Sequence, residues 1–128
     1  MVTHGNYRCH FHSGVDFPAT QMSDYNLYAC CSGQVVKNVV NISGTSPALG
    51  NETDILSDDG VHCFRYCHMQ YGSNNHLVVG QHVDTSTFIG IVGNTGNSDG
   101  RHLHLECSIG TAWDCNTFVS PRWCPWFW

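Results

Sequence analysis

Charge is scarce in this sequence. Only 12% of its 128 residues are Asp, Glu, Lys or Arg, about half the usual share of a globular protein. Five basic residues stand against ten acidic ones, for a formal net charge of −5. No basic run occurs, which argues against nucleic acid or an anionic membrane as the main partner. No apolar stretch is long enough to span a bilayer. No window sustains a helical period, so extended helices are not expected. None of the cysteines forms a C-x-x-C pair, which excludes a ribbon or knuckle type of structural zinc site. The H-E-x-x-H pattern is missing, and with it a helix-borne glutamate base. Met1 opens directly onto polar residues, so no signal peptide is visible.

What remains is a chain of single-domain size with 41% hydrophobic residues, enough to bury a core without staples. Its solubility leans on Asn, Ser, Thr, Gly and His. Eight cysteines, at 9, 30, 31, 63, 67, 107, 115 and 124, are a high count. An even number suits disulfides in an oxidising compartment; small buried hydrophobes are the equal alternative. Cys30 and Cys31, being adjacent, are expected on opposite faces of a strand.

Most segments read as strands. Leu27–Cys30, Gln34–Ile42, Val61–Met69, His76–Val79, Phe88–Val92 and Leu103–Ile109 are rich in β-branched and aromatic residues, with Gly, Asn, Asp and Ser clustered between them. The polar stretch Ser43–Gly60 reads as a surface loop or hairpin excursion, and Gly93–Gly100 as a second loop feeding the strand after it. Asn41-Ile42-Ser43 and Asn51-Glu52-Thr53 match the glycosylation pattern, a short match that arises often by chance. The aromatic tail Trp123–Trp128 is expected to pack over a sheet edge.

Two segments carry the chemistry. One is His102-Leu103-His104, and the other is His12-Ser13-Gly14-Val15-Asp16. Together they offer two or three imidazoles and one carboxylate, a donor set that suits zinc with one position open to water. His102 and His104 share a strand face, roughly 6.5 Å apart along the strand. That spacing suits one ligand and one neighbour acting on the water. Glu106 falls on the same face, where it either braces an imidazole or stands as a solvated carboxylate at the strand end, the two readings being equal. His12 and Asp16 would lie roughly 13 Å apart on a straight strand, so the chain must bend between them, with Gly14 supplying the freedom. His68, alone within a strand pattern, reads on its own as a core histidine. His4, His10, His62, His76 and His82 read as surface or structural.

These pieces occur in a recognisable order. His12, Gly14 and Asp16 come first. Ala29, Gly33 and Val35 follow, then Tyr66 and His68. Gly90, Gly93, Gly96 and Gly100 then lead into His102, His104 and Glu106. In this order and rough spacing the chain resembles the lysostaphin-type zinc endopeptidases, which cut stems or cross-bridges of bacterial peptidoglycan. The departures are the cysteine count and the altered lead-in at Asn97-Ser98-Asp99. The resemblance implies a mainly β fold, a compact antiparallel domain with an active-site groove walled by loops. It implies one Zn2+ per chain held by His12, Asp16 and His104, with His68 and His102 as the two unligated catalytic histidines. Residues 1–128 would then be a single catalytic domain of a kind that larger proteins carry. Its partners would be peptidoglycan peptides and other domains of a longer chain, not nucleic acid or membrane. Its place would be extracellular or facing the cell wall, secreted or borne on a phage particle.

A mechanism follows from that site as an expectation. A zinc-activated water attacks the peptide carbonyl, His102 takes its proton, and His68 steadies the tetrahedral intermediate or protonates the leaving amine. The loops Ser43–Gly60 and Asn94–Gly100 would set specificity. Two other classes compete with this reading. One is a non-catalytic wall- or protein-binding module on the same fold. The other is a disulfide-stapled interaction domain with incidental histidines.

Overall fold

The computed structural model describes residues 14–111 and 118–119. His12 lies outside them, as do His4, His10, Cys9, Cys115, Cys124 and the aromatic tail. The elements are β1 (Val15–Pro18), a 3-10 turn (Ala19–Gln21), β2 (Asn26–Tyr28), β3 (Gly33–Val39), β4 (Asn51–Ser57), β5 (His62–Met69), β6 (His82–Val83), β7 (Phe88–Ile91), β8 (His102–Ile109) and β9 (Phe118–Val119). The main sheet runs β1-β8-β5-β4-β3-β6, with β9 also pairing β8, and β2 and β7 form a two-stranded sheet. Every pairing is antiparallel, and the mainly β, antiparallel architecture matches the expectation.

Alternation along the strands divides the main sheet into two faces. Val35, Ile55, Phe64, Tyr66, Leu103, Leu105 and Cys107 pack into the core with Leu27, Ala29, Leu77 and Ile89. Removing this apolar surface from water is the main drive to fold. On the opposite face the same strands carry Glu52, Asp54, Arg65, Cys67, His104 and Glu106, also buried or nearly so.

Several expectations are corrected. The stretch Ser43–Gly60 contains β4, which lies between β3 and β5 and is buried over most of its length. Its residues look like loop residues because their burial is compensated by hydrogen bonds and ion pairs, not by apolar contact. Asn51 is fully buried, so its glycosylation pattern is not an accessible acceptor. His76–Val79 is turn and coil rather than strand, with only Leu77 tucked into the core and Val78 and Val79 exposed. Strand β2 stops at Tyr28, and Cys30 and Cys31 sit in a bend, so the opposite-face argument does not apply to them. Cys63 and Cys67 carry free thiols.

Candidate active site

Register brings the distant segments together. Asp16 on β1 lies directly across from His104 on β8, and Cys67 on β5 pairs with His104 from the other side. Gly14 matters here for space. A Cβ at that position would stand 2.4 Å from the Leu105 carbonyl oxygen, so only glycine lets β1 approach β8 this closely.

His68 reaches the site by a break in alternation. By period it belongs on the core face with Phe64 and Tyr66. However, Thr53 pairs with Tyr66 and Asn51 with Met69, which places one extra residue on β5. His68 absorbs it with φ +61°, a left-handed conformation rare for a non-glycine residue and found at functional sites. Its ring lies 4.9 Å from that of His102 and 5.9 Å from that of His104, centre to centre.

The three imidazoles differ in which nitrogen is taken. His68 Nδ1 is 2.7 Å from the Thr95 carbonyl oxygen, and His102 Nδ1 is 2.7 Å from that of Gly100. A carbonyl only accepts, so both rings carry their proton on Nδ1 and leave Nε2 bare when neutral. His104 is reversed. Its Nε2 meets Glu106 Oε2 at 2.9 Å, and its Nδ1 meets Asp16 Oδ1 at 3.0 Å. His102 Nε2 stands 3.7 Å from the same Asp16 oxygen. Burial pulls the His68 pKa below the ordinary imidazole value, against the pull of its Thr95 hydrogen bond. Burial also opposes charge on His104, but hydrogen bonds to Asp16 and Glu106 outweigh it and the pKa is pushed up to about 9.

The meeting point of Asp16 and His104 Nδ1 is therefore a place that favours positive charge. Imidazole nitrogen and carboxylate oxygen are donors that zinc accepts, so this pair fits two of the three expected ligands. His12 lies outside the described residues. A second trio of donors also converges, Cys67, His104 and Glu106. There Glu106 is engaged by Arg65 and by His104, and burial holds the Cys67 thiol well above its usual pKa.

The site opens into a groove of about 440 Å3, lined by Asp16, Ala48, Leu49, His68, Asn97, Ser98, Asp99, His102, His104 and Glu106. Its walls are two loops joined to each other. Gly96 N–H donates to the Gly44 carbonyl at 2.9 Å and Asn97 N–H to that of Ala48 at 2.7 Å. Gly96 has φ +78°, and a Cβ there would lie 2.4 Å from the Ala48 oxygen. Behind the wall, the Asn51 amide donates to the carbonyls of Ile42 and Met69 and to Thr95 Oγ1. That network holds the Thr95 carbonyl against His68.

Asp16, His68, His102 and His104 thus converge. His76 stacks on Phe88, and His82 pairs with Asp58 on the surface, both remote from the groove. The roles of Thr95, Ser98, Asn51 and Arg65 are not anticipated from sequence: Thr95 and Ser98 fall in a loop expected only to set specificity, the sequon at Asn51 pointed to the surface, and nothing marked Arg65.

The model of peptidase family M23 matches residues 10–115. The chain is 32% identical over 101 residues to the glycyl-glycine endopeptidase ALE-1 of Staphylococcus capitis, covering 74% of this chain and 24% of that protein. It is 33% identical over 101 residues to lysostaphin of Staphylococcus staphylolyticus, covering 78% of this chain and 19% of that protein. The chain thus spans about a fifth to a quarter of the length of these relatives. Among solved structures, the catalytic domain of the antimicrobial peptidase lysostaphin from Staphylococcus simulans superposes with a TM-score of 0.70 at 30% identity, over 88% of this chain and 77% of that one. A zinc-containing peptidase from Vibrio cholerae gives 0.64 at 27% identity, over 85% and 29%. With most of its length inside the family match and the lysostaphin catalytic domain as a structural neighbour, the chain belongs to peptidase family M23 and is of the lysostaphin type.

Proposed function

We propose that residues 1–128 form the catalytic domain of a zinc endopeptidase that hydrolyses peptide bonds in bacterial peptidoglycan stems or cross-bridges. It would act outside the cell or at the wall, carried within a longer protein. The observation that carries this reading is the sorting of the imidazoles: His104 turns Nδ1 toward Asp16, while His68 and His102 turn Nε2 into the same groove. The names of the relatives, a glycyl-glycine endopeptidase and an antimicrobial peptidase, support the substrate class.

Asp16 and His104 would hold the ion with His12, which we assign from the sequence pattern. A zinc ion so held supplies Lewis acidity, acidifying water and polarising a carbonyl. The protein's own groups do the rest. His102, the nearer of the two free rings to Asp16, accepts the proton of the attacking water at Nε2. Its Nδ1–H stays on the Gly100 carbonyl, so the new proton sits on the nitrogen that faces the groove. From there it passes to the leaving amine. His68 enters neutral, since burial lowers its pKa. A neutral ring held by Thr95 has no N–H aimed inward. His68 therefore orients the water or the scissile amide as an acceptor, and donates only after gaining a proton.

Purified cell wall is the test. The protein should release new amino termini, lose that activity in chelator and regain it with one zinc per chain. Activity that survives exhaustive chelation would end the zinc reading. Tight wall binding with metal but without cleavage would favour a non-catalytic binding module.

A further inference from the structure

The polar face of the sheet holds a row of ionisable side chains that ends at the site. Arg65 on β5 pairs in register with Asp54 on β4 and with Glu106 on β8. Its Nε lies 3.0 Å from Glu52 Oε2 and 3.6 Å from Asp54 Oδ1, and its Nη1 lies 2.9 Å from Glu106 Oε1. The other Glu106 oxygen takes His104 Nε2 at 2.9 Å. Glu106 is 3% exposed. A carboxylate so deep keeps its charge and place only with a compensating cation.

We propose that Arg65 is a positioning residue for His104, acting through Glu106; this rests on the reading of His104 as a zinc ligand. The guanidinium fork anchors one edge of the Glu106 carboxylate. The opposite edge then stands where it accepts from His104 Nε2, which leaves Nδ1 as the nitrogen facing Asp16. Without Arg65, Glu106 would lose its anchor and swing toward water, which frees the ring to turn its other nitrogen to the metal. Partners of this kind outside the ligand set commonly change metal affinity by roughly 10–100-fold. A row built only for stability would not need to end on the imidazole, since apolar residues across buried strands serve as well.

The experiment uses wild type, Arg65→Met, Arg65→Lys, Glu106→Ala, Arg65→Met/Glu106→Ala and Glu52→Gln. Zinc affinity is read by competition with a chromophoric chelator, and the melting of each metal-free protein is recorded beside it. Arg65→Met should weaken zinc binding by roughly 10-fold or more, and adding Glu106→Ala should weaken it no further. Glu52→Gln touches the same guanidinium but not Glu106; it should lower the melting temperature and leave zinc affinity unchanged. Nitrogen-15 spectra of the zinc-loaded proteins should place the metal on Nδ1 of His104 in wild type and divide it between both nitrogens in Arg65→Met. Should Arg65→Met not fold, Arg65→Lys serves. Its single ammonium cannot grip both carboxylates, so it should still lose affinity. Wild-type affinity in the Arg65 variants would overturn the proposal. So would additive losses in the double variant, or loss of zinc by Glu52→Gln in proportion to its loss of stability. A wild type that binds no zinc, or a His104→Ala that binds it as tightly, would instead overturn the zinc reading and this proposal with it.

Discussion

His68, His102 and His104 have the same ring and different partners, and the partners separate their proposed roles. Two backbone carbonyls hold Nδ1 of His68 and His102, while two carboxylates flank His104. If His104 is a ligand and His102 a base, their alanine variants should part company. His102→Ala should keep one zinc and lose roughly 100- to 10,000-fold in turnover, the usual range for a positioned base. His104→Ala should lose zinc and activity together. Metal analysis beside a peptide-hydrolysis assay checks both, and a His104→Ala protein with one zinc per chain would refute the ligand assignment. Strand period puts residues 102, 104 and 106 on one face, so bracing by Glu106 was legible as one of two readings, whereas the meeting of Asp16 with His104 was legible only through the family resemblance. The bend of His68 into the groove was not legible. It depends on one extra residue in β5, and neither propensity nor period marks where a bulge falls.

At the scale of elements, β1 and β4 teach opposite lessons. β1 is a four-residue strand, at the sheet edge among the described residues, that brings Asp16 to the site, and its placement depends on Gly14. Ala at that position puts a methyl group against the Leu105 backbone, which cannot yield as a flexible side chain would. Gly14→Ala should therefore shift β1 away from β8, weaken zinc binding and reduce activity, with a stability loss on the order of 1–3 kcal/mol. Chelator competition and thermal unfolding of one preparation measure both effects. Normal zinc affinity would show that β1 can be displaced without moving Asp16. β4 was hidden in the sequence because Asn51, Glu52, Thr53 and Asp54 carry the composition of a loop. Strand signals read apolar alternation, whereas here a central strand is buried under ion pairs on the face of Glu52 and Asp54 and under hydrogen bonds of Asn51 and Thr53 on the other. β2, β3, β5, β7 and β8 lie within a few residues of where their apolar content placed them, whereas the short strands β1, β6 and β9 were not expected.

For the whole molecule, the consequence of that charged face is a pH-dependent stability. Asp54 is nearly fully buried, and its surroundings are Glu52 on its own strand, Lys37 on β3, and Cys63 and Arg65 on β5. Burial first, then the hydrogen bond and repulsion from Glu52, push its pKa up to about 9, against the pull of Arg65 and Lys37. The unfolded chain titrates the same carboxyl at its ordinary value of 3.8. Between these two pKa values the folded state holds a proton that the unfolded state has released. Stability therefore falls as pH rises through that window and levels off above it. Asn at position 54 keeps an N–H donor for Glu52 and has no proton to lose. Asp54→Asn should match the parent near pH 4 and exceed it at pH 8 by on the order of 1–3 kcal/mol, which in a domain of this size raises the melting temperature by about 4 °C per kcal/mol. The difference between parent and variant matters more than either curve, because His104 also titrates between folded and unfolded states and cancels in the subtraction. Thermal unfolding of the two proteins at matched pH values settles it: a difference that stays constant from pH 4 to pH 8 would mean that Asp54 is already ionised within the sheet.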